Sequence, residues 1–491
     1  MATNLKIKNK SKPFKRHSDL RELVNLIDEI GELERVDGAD WNLEMGALTE
    51  LIHHARPNPP AILFQRIPGF PKGFRVLSGA ANSSQRLAIT LGFPVPKTPM
   101  DVVRAYRNRM KVHTPLPPEN VDEGPILQNI DRDDDVDVLK FPVPFLHEQD
   151  GGRYIGTDDL VIMHDPEDDW VNVGTYRSMV HDRRTVGLWM SPGKQGRQIR
   201  EKYFRQGKPC PVLISCGHDP LLSLGAGNEL RFGLSEFSWA GGHRGLPVQT
   251  IRSERYGLPM PAHSEIVLEG AMYPDDTKAE GPFGEFTGYY ASEVSDEPVV
   301  RIERVYYRDD PILTMASPMQ PPSDFSFSKC VMKSGMIWDE IEHAGLNGVQ
   351  GVWCHEAGSA RLFNVVSIRQ AYAGHARQAG LLVLSCQSGN YLGRYVVVVD
   401  EDVDPTNTFE VLWAMSTRSN PAEDIEVLHR TWSGPLDPML RPGERLNSRA
   451  IIDACRPFEW RDDFPPVARA SDGLREAMRE KYRTILSQFD A

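Results

Sequence analysis

The chain has few cysteines, no long hydrophobic run and no excess of positive charge, and each shortage removes a class of function. Its six cysteines (Cys210, Cys216, Cys330, Cys354, Cys386 and Cys455) are scattered with no Cys-x-x-Cys pair. That argues against a zinc ribbon or a disulfide framework and for reduced thiols that pack as small buried hydrophobes. No apolar stretch approaches the roughly 20 residues of a membrane-spanning helix, so no membrane span is expected. A net charge of −12 over 491 residues argues against a general nucleic-acid binder, while leaving room for a local basic pocket for a phosphate. The basic start, Lys6 to Arg16, lacks the apolar segment of a secretory signal and reads as a frayed tail. The protein is therefore expected in the cytoplasm. His-Glu-x-x-His is also missing, and Gly225-Ala-Gly227 lacks the third glycine of a dinucleotide fingerprint.

A chain this long exceeds one hydrophobic core, so two or three domains are expected. The patterning predicts a first helix over 18–30, capped by Ser18, with Leu20, Leu23, Ile27 and Ile30 on one face and Gly31 ending it. A helix over 42–55, strands at Ala61–Gln65 and Phe74–Leu77, and a helix capped by Ser84 through Leu91 follow, giving an α/β unit within 1–112. The Pro- and Asp-rich segment 113–150 reads as a long connection. Short β-branched runs (Leu160–Met163, Pro211–Ser215, Glu265–Leu268, Val299–Tyr307), with a helix at Arg197–Arg205, predict a barrel or sandwich within 113–325. A second α/β unit over 326–470 opens with a helix from Ser326 to His343. Strands Val349–Cys354 and Phe363–Ile368 follow, then a buried parallel strand at Tyr395–Val399 and a helix at Thr408–Thr417. Residues 471–491 form a charged amphipathic arm expected to pack on another domain or subunit. The class is α+β.

Three stretches carry chemistry. In Glu280-Gly-Pro-Phe-Gly-Glu285-Phe286-Thr-Gly-Tyr289, two carboxylates stand five residues apart across a spacer too rich in Gly and Pro for a helix. An arbitrary pair of this spacing is two surface acids. Aromatic neighbours and a tight backbone instead provide the desolvation that turns one acid into a proton donor while its partner stays ionised. In Asn172-Val-Gly-Thr175-Tyr176-Arg177, strand alternation places Asn172 and Tyr176 on one face and Thr175 and Arg177 on the other. The arginine suits a glutamate or a substrate carboxylate. In Ser235-Glu236-Phe-Ser-Trp239-Ala-Gly-Gly-His243, Glu236 offers a hard oxygen that with Asn172 suits Mg²⁺ or Mn²⁺ better than zinc.

Together these stretches resemble the UbiD-like family of prenylated-FMN decarboxylases, which includes ferulic acid decarboxylase and 3-octaprenyl-4-hydroxybenzoate decarboxylase. The resemblance spans about 15–460. It rests on Glu280-Gly-Pro-Phe-Gly-Glu285 with Gly288-Tyr289, Asn172-x4-Arg177, Glu236 with Ala240-Gly241, Ser264-Glu-Ile-Val-Leu-Glu-Gly270 and Val399-Asp-Glu-Asp-Val-Asp-Pro405. It implies an N-terminal α/β domain, a central split β-barrel that binds the flavin, and a C-terminal α/β domain that dimerises, so a homodimer or homohexamer. It also implies a Glu-Arg-Glu set at Glu280, Arg177 and Glu285, and a divalent metal, Mn²⁺ or Mg²⁺, at Asn172 and Glu236. The cofactor contacts fall on Asn172, Thr175, Tyr176, Lys194, Gln195 and Arg394, with a potassium ion beside the phosphate and a flavin prenyltransferase supplying the cofactor.

Two departures stand out. Where the family usually places a metal-binding His, this chain has Gln195, a hard but neutral ligand. Arg394 stands where the family has a phosphate-side Lys. The expected reaction is non-oxidative decarboxylation of an aromatic or heteroaromatic acid, free or as a thioester. In it Glu285 returns the proton, Arg177 positions the carboxylate and Glu280 tunes both. A cinnamate-like acid is the alternative substrate. A flavin-binding subunit without activity and an ordinary FMN oxidoreductase are the rival readings. Phe286, Trp239 and Phe325 are the aromatic candidates to face a substrate ring.

Overall fold

The computed structural model of the protein describes residues 16–488 apart from 56, 229, 292 and 442, so most of the basic start lies outside the described residues. The first helix, Leu20–Glu29, buries Leu20, Leu23, Val24, Leu26 and Ile27. Its cap is Asp19 rather than Ser18. The Asp19 carboxylate accepts the Glu22 amide at 2.9 Å, whereas Ser18 donates its own N–H and hydroxyl to the Glu22 carboxylate. The same one-residue correction applies at Ser84–Leu91, where Ser83 accepts the Arg86 amide. A helix that the patterning did not mark, Pro99–Lys111, starts with a reciprocal Thr98/Asp101 capping box and Pro at its first position.

The first sheet has four strands in the spatial order Leu33–Asp37, Ala61–Gln65, Arg75–Ser78 and Ile312–Met315. Its last member comes from far along the chain and pairs parallel to Arg75–Ser78. The segment 113–150 is also more than a connection, since Asn129–Arg132 pairs with Ser295–Tyr307.

The central sheet has nine strands, every pair antiparallel. Its order runs Arg153–Gly156, Ser178–Asp182, Thr185–Leu188, Ser295–Tyr307, Ile266–Glu280, Cys210–Cys216, Asp159–His164 and Val171–Gly174, with Asn129–Arg132 to one side. The Cys216 thiol reaches the Ile155 carbonyl at 3.4 Å although their strands are far apart in that order, so the sheet curls back on itself. Its inner face and the first sheet share one core, in which Phe64 and Val76 meet Val161, Ile214 and Leu268. A second core joins the central helices to the C-terminal unit, with Trp239, Trp338 and Val366 all buried.

The C-terminal sheet runs Val349–Cys354, Phe363–Ile368, Tyr395–Asp400, Leu446–Ala454, Ile425–Trp432. Tyr395–Asp400 is flanked by parallel strands on both sides, which is what an unbroken run of four valines needs. The arm forms Asp472–Lys481 and Arg483–Leu486, and no side chain of either helix is buried. All six cysteines are free, five of them buried. Among the described residues no helix is long and apolar enough to cross a membrane.

Candidate active site

The long strand Ile266–Glu280 ends at the first glutamate, and the Gly-Pro-Phe-Gly turn carries the chain back so that Glu285 faces it. The turn is pinned from outside. Asp150 accepts the Gly284 amide at 2.9 Å while its other oxygen lies 3.0 Å from His147 Nδ1, and the Gly151 amide donates to the Pro282 carbonyl at 2.7 Å. Both glycines are required by contact. A Cβ at Gly151 would fall 2.1 Å from the Gly281 carbonyl oxygen, and one at Gly284 would fall 2.9 Å from His147 Nδ1.

Arg177 lies between the two acids. The strand Val171–Gly174 stops three residues before it, so Thr175 to Arg177 follow a loop and the alternation expected through Arg177 does not extend that far. Arg177 donates through Nε and Nη2 to Glu280 at 2.8 and 2.7 Å, and through Nη1 to Glu285 at 2.5 Å. All three side chains are buried. Trp189 and Phe283 cover the guanidinium, at 4.4 and 5.4 Å from their ring centroids. Tyr154, which carried no sequence signal, donates its hydroxyl to Glu280 at 2.9 Å.

The two glutamates are therefore unequal. Glu280 takes a two-point grip on the arginine plus a phenol. Glu285 has a single arginine contact and is otherwise desolvated. Burial first, and then the Glu280 charge, push its pKa up to about 7 against the pull of Arg177. A carboxyl half-protonated near neutrality is suited to giving up a proton.

The second group converges on Tyr176. Its hydroxyl accepts the Gly196 amide, at the start of helix Gln195–Arg205, at 3.1 Å. Burial pushes the phenol up to about 12, with Asn172 and Glu236 among its neighbours. The Asn172 side chain is buried against the Tyr176 phenol. Glu236, at the start of helix Glu236–Arg244, accepts the Val173 amide at 2.7 Å. Gln195 is half-buried and gives its amide N–H to the Leu230 carbonyl at 3.1 Å, leaving its oxygen available. Asn172, Glu236 and Gln195 form a hard-oxygen set, the donor type that Mg²⁺ and Mn²⁺ take. Among the described residues no three His, Cys, Asp or Glu side chains converge as ligands, so a metal here depends on the amides.

Arg394 does not join this group. It pairs with Asp437 inside the C-terminal unit. Trp239 stacks on His243 deep in the core and faces no site. Phe286 lies under Arg361, at 4.6 Å from its ring centroid, and Phe325 is the residue before helix Ser326–His343. Tyr154 is the residue of this set that sequence alone does not mark.

Comparison with known proteins identifies the family. Residues 24–106, 119–321 and 327–454 match the N-terminal, Rift-related and C-terminal domains of 3-octaprenyl-4-hydroxybenzoate carboxy-lyase (UbiD). The chain is 33% identical over 485 residues to a pyrrole-2-carboxylic acid decarboxylase from Pseudomonas aeruginosa, covering 95% of this chain and 96% of that one. It is 29% identical to the solved vanillic acid decarboxylase of Sedimentibacter hydroxybenzoicus in open form, with a TM-score of 0.82 over 96% of this chain and 100% of that one. A UbiD-class enzyme from Pelotomaculum thermopropionicum, solved with FMN, gives a TM-score of 0.83 at 26% identity over 94% of this chain and 100% of that one. This chain is a member of the UbiD family of carboxy-lyases.

Proposed function

We propose that the protein decarboxylates an aromatic or heteroaromatic carboxylic acid with prenylated FMN as cofactor, the central sheet forming the split barrel that holds the flavin. The observation that carries this reading is the buried Glu280–Arg177–Glu285 set, with one doubly anchored carboxyl and one whose pKa is pushed up to about 7. The family membership and the decarboxylase relatives support it.

The buried Asn172 and Glu236 side chains and the uncapped start of helix Gln195–Arg205 fit a divalent metal and a phosphate. Asn172, Glu236 and Gln195 would hold Mn²⁺ or Mg²⁺. Thr175, Tyr176 and Lys194 would lie along the cofactor, with potassium beside its phosphate. When bound, the prenylated flavin supplies the electron sink that no side chain here offers.

The chain's own residues do the rest. Arg177 orients the carboxylate and the buried walls exclude water. The bond to the carboxylate carbon breaks, CO₂ leaves, and a proton takes its place on the ring carbon. Glu285 then gives that carbon its proton and is reprotonated from solvent, with no net oxidation. Glu280 engages Arg177 at two points, which leaves Glu285 a single contact with it. The exposed apolar side chains of the arm, Leu474, Met478, Tyr482 and Ile485, favour a homodimer or larger homo-oligomer in which a second copy covers them.

The test is co-expression with a flavin prenyltransferase, the cofactor mass of the purified protein, and CO₂ release from a panel of aromatic acids. A prenylated-FMN mass together with CO₂ release is expected. Unmodified FMN in a protein inert toward every acid would overturn the reading.

A further inference from the structure

Arg177 sits on a short loop between the strands Val171–Gly174 and Ser178–Asp182, and a residue from a third strand holds that loop. Asp159, at the start of strand Asp159–His164, is 1% exposed. One of its carboxyl oxygens accepts the Tyr176 amide at 3.3 Å, and the other accepts the Ser178 hydroxyl at 2.7 Å. Those two residues stand immediately before and after Arg177. The Ser178 hydroxyl also lies 3.1 Å from the Tyr176 carbonyl, and the Trp189 amide donates to the Arg177 carbonyl at 3.2 Å. Gly156 leaves the room for this grip, since a Cβ there would fall 2.0 Å from Asp159 Oδ2 and 2.6 Å from the Ser178 hydroxyl oxygen.

The arrangement works against stability. No cation offsets the Asp159 charge among the described residues, and the titratable groups around it are Asp158, Tyr176 and the Cys216 thiol. Burial pushes its pKa up to about 7, against the pull of the Ser178 and Tyr176 hydrogen bonds. Because that value lies above the aspartate range of an unfolded chain, ionised Asp159 subtracts from stability. The loss grows as pH rises from about 4 to about 7. A well-packed apolar side chain would serve this core better. What the carboxyl secures is the loop that carries Arg177.

We infer that Asp159 is a positioning residue for Arg177, gripping the chain on both sides of it so that the guanidinium keeps its contact with Glu285. Its effect on rate rests on the decarboxylase reading above, whereas its effect on Glu285 does not. The charged groups that face Glu285 are Arg177, Glu280 and Asp150, and of these only Arg177 holds its pKa down. Loosening Arg177 therefore moves the Glu285 pKa up. Simple removal of a nearby negative charge would move it down.

The test is the titration of Glu285 in the purified full-length protein, read from the infrared band of its protonated carboxyl and identified by its loss in Glu285→Gln. In Asp159→Ala the midpoint should rise by about half a pH unit or more. Asp159→Asn keeps an acceptor for the Tyr176 amide and a partner for the Ser178 hydroxyl, and should leave the midpoint at the wild-type value. On the cofactor-loaded enzyme the alkaline limb of kcat/KM should follow the same order. There kcat should fall about tenfold or more in Asp159→Ala and be largely restored in Asp159→Asn. A midpoint that stays or falls in Asp159→Ala, or equal changes in the two variants, overturns the proposal. Ser178→Ala removes half of the grip and decides the matter if Asp159→Ala does not fold. A smaller rise is expected there, and no rise overturns the proposal. If the wild type releases CO₂ from no acid, the decarboxylase reading falls, and the infrared titration still decides the role of Asp159.

Discussion

Arg177 and Arg361 stand on either side of residues 280–289 and are built on opposite terms. Arg177 spends its donors on two carboxylates of its own chain and is roofed by Trp189. Arg361 rests on two rings, with no carboxylate paired to it among the described residues. The first is complete in its acid partners, which hold it in place in the folded chain. The second is held by aromatic faces instead.

The largest expected effect falls on the complete side. Glu285→Gln should lower CO₂ release and deuterium exchange into product by at least about 10³-fold, toward the upper range of general acid catalysis, with flavin still bound. Exchange at the wild-type rate would remove Glu285 from its role.

The same substitution at the two arginines tests the contrast directly. Arg177→Met strands two buried carboxylates and should cost about 3–5 kcal/mol in urea unfolding, whereas Arg361→Met should stay within about 1 kcal/mol. Equal losses would erase the distinction. Asn172→Ala should reduce bound divalent metal by about 10-fold or more, read by elemental analysis, while leaving the Arg177 pairs in place.

Acid–base behaviour gives a finer test. Because the raised pKa of Glu285 keeps it protonated below about 7 and ionised above, kcat/KM should fall as pH rises through that value. Tyr154→Phe removes one donor from Glu280 and should change kcat by only a few-fold, with the alkaline limb displaced. An undisplaced limb would leave Tyr154 a packing residue.

The site was largely legible because its members lie in short, unusual strings. Glu280 to Glu285 share one Gly/Pro turn, and Asn172 to Arg177 share one strand end. Boundaries of regular elements, such as Ser326–His343, followed from periodicity. Tyr154 was not legible, since it sits alone in its own element and gains meaning only from a partner brought by folding. Arg394 failed for the converse reason. Its position before a valine run said nothing about Asp437, which claims its charge from a distant loop. Ser18 and Ser84 were misplaced as caps by one residue, because composition marks a helix start while the cap is decided by which oxygen reaches the third amide.

The strand Ile312–Met315, described above as the last member of the first sheet, bears on how the protein is made. During synthesis the Arg75–Ser78 edge must wait, with its backbone groups unpaired on that side, until the whole central sheet has left the ribosome. Such an edge invites the wrong neighbour. A fragment ending at residue 112 would carry that open edge permanently, so it should self-associate when expressed alone, and the shortest separable N-terminal piece has to include residues 312–315.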